Sequence, residues 1–258
     1  MLHHKTFGQG PALLVLHGLF GSLDNWITLG RRWAEHFSVY LVDQRNHGRS
    51  FHSQEWTYAA MAEDLHELMD HEGILQGHLL GHSMGGKTVM TFADLYPERI
   101  DRLMVADMGM RAYPPHHNDI LAALSRVDLQ QIDHRQDADA QLAAAGIAEP
   151  GIRQFLTKSL YRSGQGWAWR FNLPVIERQY HQVIAPVELG HPFEGPTLFL
   201  SGGRSSYVQP GDRADIQQAF PQAQFEVIEQ AGHWLHAEAP QAFSQQVLAF
   251  LGATAQAD

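Results

Sequence analysis

The stretch 79–87, which reads LLGHSMGGK, constrains the fold more than any other part of the chain. It joins a short apolar run to a segment that spaces apolar side chains at helical intervals as far as Tyr96. This order predicts a strand, a sharp reversal at Ser83 and then a helix. A reversal that tight strains the serine backbone and leaves no room for side chains at Gly81 and Gly85.

The spacing of this turn, G-x-S-x-G, is typical of a nucleophile that a strand-to-helix turn exposes. The backbone N–H of Met84 would open the helix and point to the place where an oxyanion forms. The alternative is a glycine-rich connection with an incidental serine, because a pattern with three fixed positions recurs by chance. The other motifs of the chain favour the nucleophile.

Other short apolar runs alternate with helical segments before and after this turn. Since continuous apolar strands are covered on both faces, the alternation predicts an α/β fold with a mostly parallel central sheet and helices on both faces. In such sheets the loops at the carboxyl ends of the strands form the site. The predicted strands are residues 12–16, 39–42, 78–80, 100–106, 197–201 and 223–228.

The alternation stops after residue 107, where helical stretches rich in Ala, Gln and Asp are interrupted by aromatic residues. We predict that residues 108–191 form a helical lid, or cap, inserted into a core made of residues 1–107 and 192–258. Aromatic side chains at the entrance would supply an apolar acyl pocket. The residues expected to bind substrate are Trp167 and Trp169 in the lid and Trp234 beyond it.

Composition and charge exclude several classes of function. The 258 residues carry a formal charge of -10, from 18 Lys and Arg against 28 Asp and Glu, so neither nucleic acid nor an anionic membrane is an expected partner. The absence of cysteine excludes thiolate nucleophiles and cysteine-ligated metals. A metal site at His116 and His117 is not expected either, because no third ligand follows them at a recognisable spacing.

The first ten residues lack the apolar core of a signal peptide, and no apolar run approaches the roughly 18 residues of a membrane span. The expected location is the cytoplasm.

Two further residues stand where a serine nucleophile needs its partners. Asp107 ends a predicted strand, and His233 follows Gly232 in the loop after the last predicted strand. With Ser83 they give the chain order nucleophile, acid, base. A loop or capping carboxylate is the alternative role for Asp107. His47 is the alternative base, although we interpret it as a hydrogen-bonded loop residue.

The loop after the first predicted strand offers a second oxyanion donor. It reads HGLFGS over residues 17–22, and its two glycines allow Leu19 to present a backbone N–H beside that of Met84. An ordinary strand-to-helix connection is the alternative.

Four stretches, HGLFGSLDNW, DQRNHGRS, GHSMGGK and AGHWLHAE, together resemble the α/β-hydrolases, and among them the bacterial YbfF-type esterases and their mitochondrial relatives. The resemblance extends over nearly the whole chain. It implies the α/β-hydrolase fold and the hydrolysis of small acyl esters or acyl-CoA thioesters.

The chain departs from many α/β-hydrolases in one place. The loop after residues 197–201 reads GGRSSYV, with serines where the triad acid would be expected. The next carboxylate, Asp212, follows Pro210 and is expected to open a helix. Asp107 is therefore the predicted acid. The resemblance to the YbfF-like group implies the same, because the acid of that group has a similar position.

These residues together predict a carboxylic ester hydrolase of the serine type that works through an acyl-enzyme. Ser83 attacks, His233 removes its proton, and Asp107 orients the imidazole. The substrate partner would be a small or medium acyl ester or an acyl-CoA, and no metal or organic cofactor is required. The alternatives are a serine-dependent perhydrolase, a C–C bond hydrolase and a non-catalytic ligand-binding receptor, which would have no need for the full proton relay.

Overall fold

The computed structural model describes residues 1–164 and 166–253. The strands found there are β1 (His4–Phe7), β2 (Ala12–Leu16), β3 (Ser38–Val42), β4 (Gly77–His82), β5 (Ile100–Ala106), β6 (Leu160–Ser163), β7 (Gly166–Trp169), β8 (Thr197–Gly202) and β9 (Ala223–Ile228). The helices are α1 (Ile27–Trp33), α2 (Tyr58–His71), α3 (Met84–Leu95), α4 (Asn118–Arg126), α5 (Arg135–Ala144), α6 (Pro150–Thr157), α7 (Leu173–Ile184), α8 (Arg213–Ala219), α9 (Leu235–Glu238) and α10 (Pro240–Leu251). None of the helices in the described ranges has both the length and the apolar character that crossing a membrane requires.

Seven of the strands form one sheet in the order β1-β3-β2-β4-β5-β8-β9. All neighbours run parallel except β1 and β3, where His4 lies opposite Val42 in an antiparallel pair. The predicted mostly parallel sheet is confirmed. The sequence offers no signal for the edge strand β1, because its four residues, HKTF, contain no continuous apolar run.

Side chains alternate across the sheet and supply a hydrophobic core on each face. On one face Leu14 and Leu16 pack with α2 and α3, and on the other face Leu13 and Val15 pack with α1 and α10. All four side chains are fully buried. The prediction of helices on both faces is therefore confirmed.

The residues between β5 and β8 are called the inserted segment below, and those of them that the structure describes contribute no strand to this sheet. β5 pairs directly with β8, with Leu103 opposite Thr197, although α4 to α7 and the β6-β7 pair lie between them in the chain. Besides the helices expected here, the segment contains a hairpin that the sequence analysis did not predict, in which Leu160 of β6 lies opposite Trp169 of β7. The aromatic residues of this hairpin favour strands.

Lys87, which belongs to α3, forms hydrogen bonds near the beginning and near the end of the inserted segment. Its side chain is fully buried, and its Nζ donates to the carbonyl oxygen of Arg111 at 2.9 Å and to that of Ala185. Nζ also lies 4.9 Å from the ring centroid of Tyr113. Burial, and to a smaller extent the charge of Arg111, lowers the pKa of Lys87 to about 7. A neutral amine still has two hydrogens to donate to the two carbonyls.

We expect Lys87 to make the free energy of unfolding depend on pH. An unfolded lysine loses its proton near pH 10.4, so between about pH 7 and pH 10 the unfolded state binds more protons, and stability rises with pH by up to about 1.4 kcal/mol per unit. Lys87→Met should remove this contribution to the slope of the free energy of unfolding against pH. Urea unfolding at about pH 7.5 and about pH 9 checks it, with the exposed Lys158→Met as the control. An undiminished slope in Lys87→Met would contradict the assignment.

Candidate active site

Ser83 lies at the reversal between β4 and α3, and its backbone is strained. Its φ of 54° and ψ of -118° form a combination that residues other than glycine rarely adopt. The neighbouring glycines are required for space. A Cβ at Gly81 would clash with the carbonyl oxygen of Gly85, and one at Gly85 would lie 2.6 Å from the carbonyl oxygen of Leu16. Ser83 lines a cavity between the sheet and the inserted segment.

The structure brings Ser83, Asp107 and His233 together. Nε2 of His233 lies 3.0 Å from Ser83 Oγ, and Nδ1 of the same ring lies 2.7 Å from Asp107 Oδ2. Asp107 follows β5 with a positive φ of 50° and is fully buried, and His233 precedes α9. Both distances lie within hydrogen-bonding range, so the imidazole connects the hydroxyl to the carboxylate.

The loop after β8 supports the carboxylate and the imidazole. Ser205 Oγ donates to Asp107 Oδ2 at 2.5 Å, and the Gly202 N–H donates to Oδ1 at 3.0 Å. The ring of Tyr207 stacks on that of His233, with the centroids 3.8 Å apart and the planes 13° from parallel. Sequence reasoning missed both contacts. The one available signal was Ser205, which stands in the loop where a carboxylate was expected. Its hydroxyl can donate to a carboxylate from another part of the chain, as it does to Asp107.

The loop after β2 is held by two histidines. His17 Nε2 accepts the Gln44 N–H at 3.1 Å, so its Nδ1 carries the proton and donates to the Gly18 carbonyl at 2.8 Å. His47 Nε2 accepts the Phe20 N–H at 3.2 Å. Burial, followed by the neighbouring His17, lowers the pKa of His47 to about 3. His47 is therefore a neutral acceptor that positions the loop, with its lone pair already engaged.

These contacts leave the Leu19 N–H available as a donor in this loop. The Phe20 N–H goes to His47 and the Gly21 N–H to the Gly18 carbonyl, whereas no described residue accepts the Leu19 N–H. The loop lies against Ser83, since a Cβ added at Gly18 would come within 3.1 Å of Ser83 Cβ. On the other side, Met84 is the first residue of α3, and its N–H lacks an intrahelical acceptor.

The sequence profile of one protein family, described as alpha/beta hydrolase fold, matches residues 11–240. The chain belongs to the α/β-hydrolase family. Two α/β-hydrolases are similar over nearly its whole length: mouse sn-1-specific diacylglycerol lipase ABHD11, 40% identical over 93% of this chain and 81% of its own, and Esterase YbfF of Escherichia coli strain K12, 39% identical over 94% and 93%. A solved structure, "Marine microorganism esterase", has a TM-score of 0.94 and 38% identity, covering 96% of this chain and 98% of that one. The resemblance to YbfF-type esterases is confirmed.

The cavity of this α/β-hydrolase has an apolar wall from the inserted segment. Besides Ser83 and His233 it is lined by Trp234, one of the residues predicted to bind substrate. Phe155 contacts Trp234, with the ring centroids 5.7 Å apart. The inserted segment contributes Ile120, Ile152, Phe155 and Leu156, together with His117.

Trp167 and Trp169 do not line this cavity. Trp169 stacks on Phe171 at a centroid distance of 5.2 Å, and Trp167 lies under the Arg162 guanidinium at 5.1 Å. Both tryptophans belong to the β6-β7 hairpin, where packing within the inserted segment covers them. Of the three tryptophans expected from the sequence to bind substrate, Trp234 therefore lines the cavity beside Ser83, whereas Trp167 and Trp169 do not.

The two histidines at the start of the inserted segment contact tyrosines. His116 Nε2 lies 2.5 Å from the hydroxyl of Tyr207, and His117 Nδ1 lies 2.7 Å from that of Tyr180. In the part of the chain that the structure describes, no three His, Asp or Glu side chains are grouped as metal ligands.

Proposed function

We propose that this α/β-hydrolase is a serine esterase that cleaves small or medium acyl esters, including acyl-CoA thioesters, through an acyl-enzyme on Ser83. Relatives named esterase and diacylglycerol lipase place it among the carboxylic ester hydrolases. The observation that carries the finer proposal is the His233 ring, 3.0 Å from the Ser83 hydroxyl and 2.7 Å from the Asp107 carboxylate. A proton relay of this geometry suits acyl transfer.

In the proposed reaction, His233 Nε2 takes the Ser83 proton as Oγ attacks the ester carbonyl. The N–H groups of Leu19 and Met84 bind the oxyanion that forms. His233 then returns the proton to the leaving alcohol or thiol, which leaves the acyl group on Ser83 Oγ. Water, deprotonated by the same imidazole, attacks the acyl-enzyme and releases the carboxylic acid. Asp107 holds Nδ1–H in place and stabilises the imidazolium.

The proposal includes a role for residues 108–191 as a lid that selects the acyl group. The support is the apolar wall that Ile120, Ile152 and Phe155 form beside Ser83. Apolar walls of this kind bind the hydrocarbon part of a ligand, while a few polar groups fix its orientation. A cytoplasmic location remains a prediction from the sequence.

A substrate panel tests this function. We expect the wild-type protein to hydrolyse p-nitrophenyl esters of increasing acyl length and acyl-CoA thioesters. Phe155→Ala should lower kcat/KM for the longer acyl groups by about tenfold more than for acetate, because the longer chains lose apolar contact. Trp167→Ala is the matched control, whose chain-length preference should remain that of the wild type.

The panel has two outcomes that contradict the proposal. Absence of turnover on every ester and thioester would reject the esterase assignment. A uniform loss on all substrates in Phe155→Ala would show that the inserted segment does not select the acyl group.

A further inference from the structure

Two histidines of the cavity wall have no part in the proposed proton relay. His82 directly precedes Ser83, and His236 lies in α9. Their ring centroids are 4.5 Å apart, and His236 stacks on Trp26 with centroids 4.3 Å apart. Both line the same cavity as Ser83, yet only 3% of His82 and 8% of His236 is exposed. Each is therefore a polar side chain more than nine-tenths buried beside the nucleophile.

Hydrogen bonds leave both rings incompletely paired. His82 Nε2 lies 2.8 Å from the His233 carbonyl oxygen, and since a carbonyl only accepts, this nitrogen carries the proton. Burial lowers the pKa of His82 well below its usual value, so the ring is neutral and Nδ1 holds a lone pair. Among the described residues, Nδ1 of His82 and both nitrogens of His236 have no hydrogen-bond partner, and of these three atoms His236 Nδ1 is the one that is fully enclosed.

Two neighbouring imidazoles, those of His17 and His47, differ in this respect, whereas no described residue pairs with Nε2 of His117 in the same cavity. Both ring nitrogens of His17 are engaged with backbone groups, and so are both of His47. Buried polar atoms without partners are uncommon, and each costs free energy until something pairs with it. What distinguishes the unpaired nitrogens of His82 and His236 is that they lie next to each other beside Ser83, on rings whose centroids are 4.5 Å apart.

The chemistry of these nitrogens selects a kind of ligand. His82 Nδ1 is an acceptor and needs a donor, whereas His236, whose pKa burial lowers to about 3, is neutral and offers one donor and one acceptor. A hydroxyl both donates and accepts and carries no charge, so it pairs with either ring. A carboxylate only accepts and would face the lone pair of His82. The wall from the inserted segment, with Ile120, Ile152 and Phe155, offers apolar contact.

We propose that His82 Nδ1 and His236 form a polar subsite for a hydroxyl group of the substrate, so that the enzyme prefers hydroxylated esters to alkyl esters of the same size. The proposal rests on the serine esterase function above and specifies its substrate. The hydroxyl belongs to the alcohol part or to the acyl part of the ester, and matched substrates separate these two cases.

Binding to the Ser83→Ala protein tests the subsite without turnover. One pair of probes is ethylene glycol monobutyrate and propyl butyrate, and the other is ethyl β-hydroxybutyrate and ethyl isovalerate. Each pair exchanges one hydroxyl for one methyl group. In one pair we expect the hydroxylated ester to bind about tenfold more tightly, as calorimetry or competition with a fluorescent ligand would measure.

Adding His236→Phe should abolish this preference, because phenylalanine keeps the ring stacked on Trp26 but has no nitrogen. Phe155→Leu in the apolar wall is the matched control. It should lower the affinity for both esters of a pair alike and so keep the ratio of the two affinities. Thermal unfolding of each variant checks its fold.

Equal affinities within both pairs in Ser83→Ala would overturn the subsite without any change at position 236. A preference that persists in the folded His236→Phe protein would overturn it as well. Failure of the esterase proposal gives a different result, namely no hydrolysis of any of the four esters by the wild-type protein.

Discussion

Ser83→Ala is expected to abolish ester hydrolysis while leaving the fold and substrate binding intact. The Ser83 hydroxyl is the group that lies 3.0 Å from His233 Nε2, and its only described side-chain hydrogen bond is the one to that ring. Removing it deletes the proposed nucleophile without leaving a buried backbone group unpaired. Loss of the nucleophile lowers turnover on the order of a millionfold in serine hydrolases, because the remaining oxyanion and binding interactions give only a small residual rate.

Labelling with a serine-directed phosphonate measures this directly. The wild-type protein should gain one phosphonyl group on Ser83, found by mass spectrometry of its peptides, and Ser83→Ala should gain none. Ser205→Ala is the matched control, because Ser205 also lies beside the proposed relay but donates to Asp107. It should still be labelled at position 83. Labelling of Ser83→Ala at another serine would show that the nucleophile has been misassigned.

The elements that could be predicted from the sequence are those with a local physical cause. The reversal at Ser83 needs Gly81 and Gly85 because other backbone atoms fill the space of their Cβ atoms, and such a need appears in the sequence as a short pattern. The buried strands appear as apolar runs, since both faces of the sheet are covered. The placement of Asp107 at the end of a strand could be predicted because it ends one of these runs, and this placement is what makes it the proposed acid.

The features that could not be predicted depend on contacts between distant parts of the chain. Ser205 donates to Asp107 because β5 and β8 are neighbours in the sheet, although the inserted segment separates them in the chain. The stacking of Tyr207 on His233 has the same origin. In the inserted segment, Trp167 and Phe155 are both aromatic, and only the folded hairpin and α6 decide that Phe155 lines the cavity.

The second large effect is expected for Asp107→Asn, which should fold and lose about four powers of ten in turnover, as loss of the orienting carboxylate does in a serine protease. The carboxylate accepts from Gly202 N–H, from Ser205 Oγ and from His233 Nδ1. The Asn side-chain amide has one oxygen that accepts hydrogen bonds, whereas its NH₂ group only donates them. It would place an NH₂ group against one of these three donors or favour the tautomer of His233 that cannot take the Ser83 proton.

Asp212→Asn makes the same chemical change in the other candidate acid and is the matched control. Asp212 accepts the Gln209 N–H at 2.8 Å and pairs with Arg111 at 3.2 Å, so it caps the short helix at residues 210–212 and does not contact the His233 ring. Its substitution should change kcat on one good ester by less than about fivefold, since the partly exposed pair with Arg111 contributes at most about 1 kcal/mol and lies outside the proposed relay. Because both variants exchange one carboxylate for an amide, their ranking depends on which carboxylate orients the imidazole. A larger loss in Asp212→Asn than in Asp107→Asn would assign the acid to the loop after β8, whatever the distances in the resting protein.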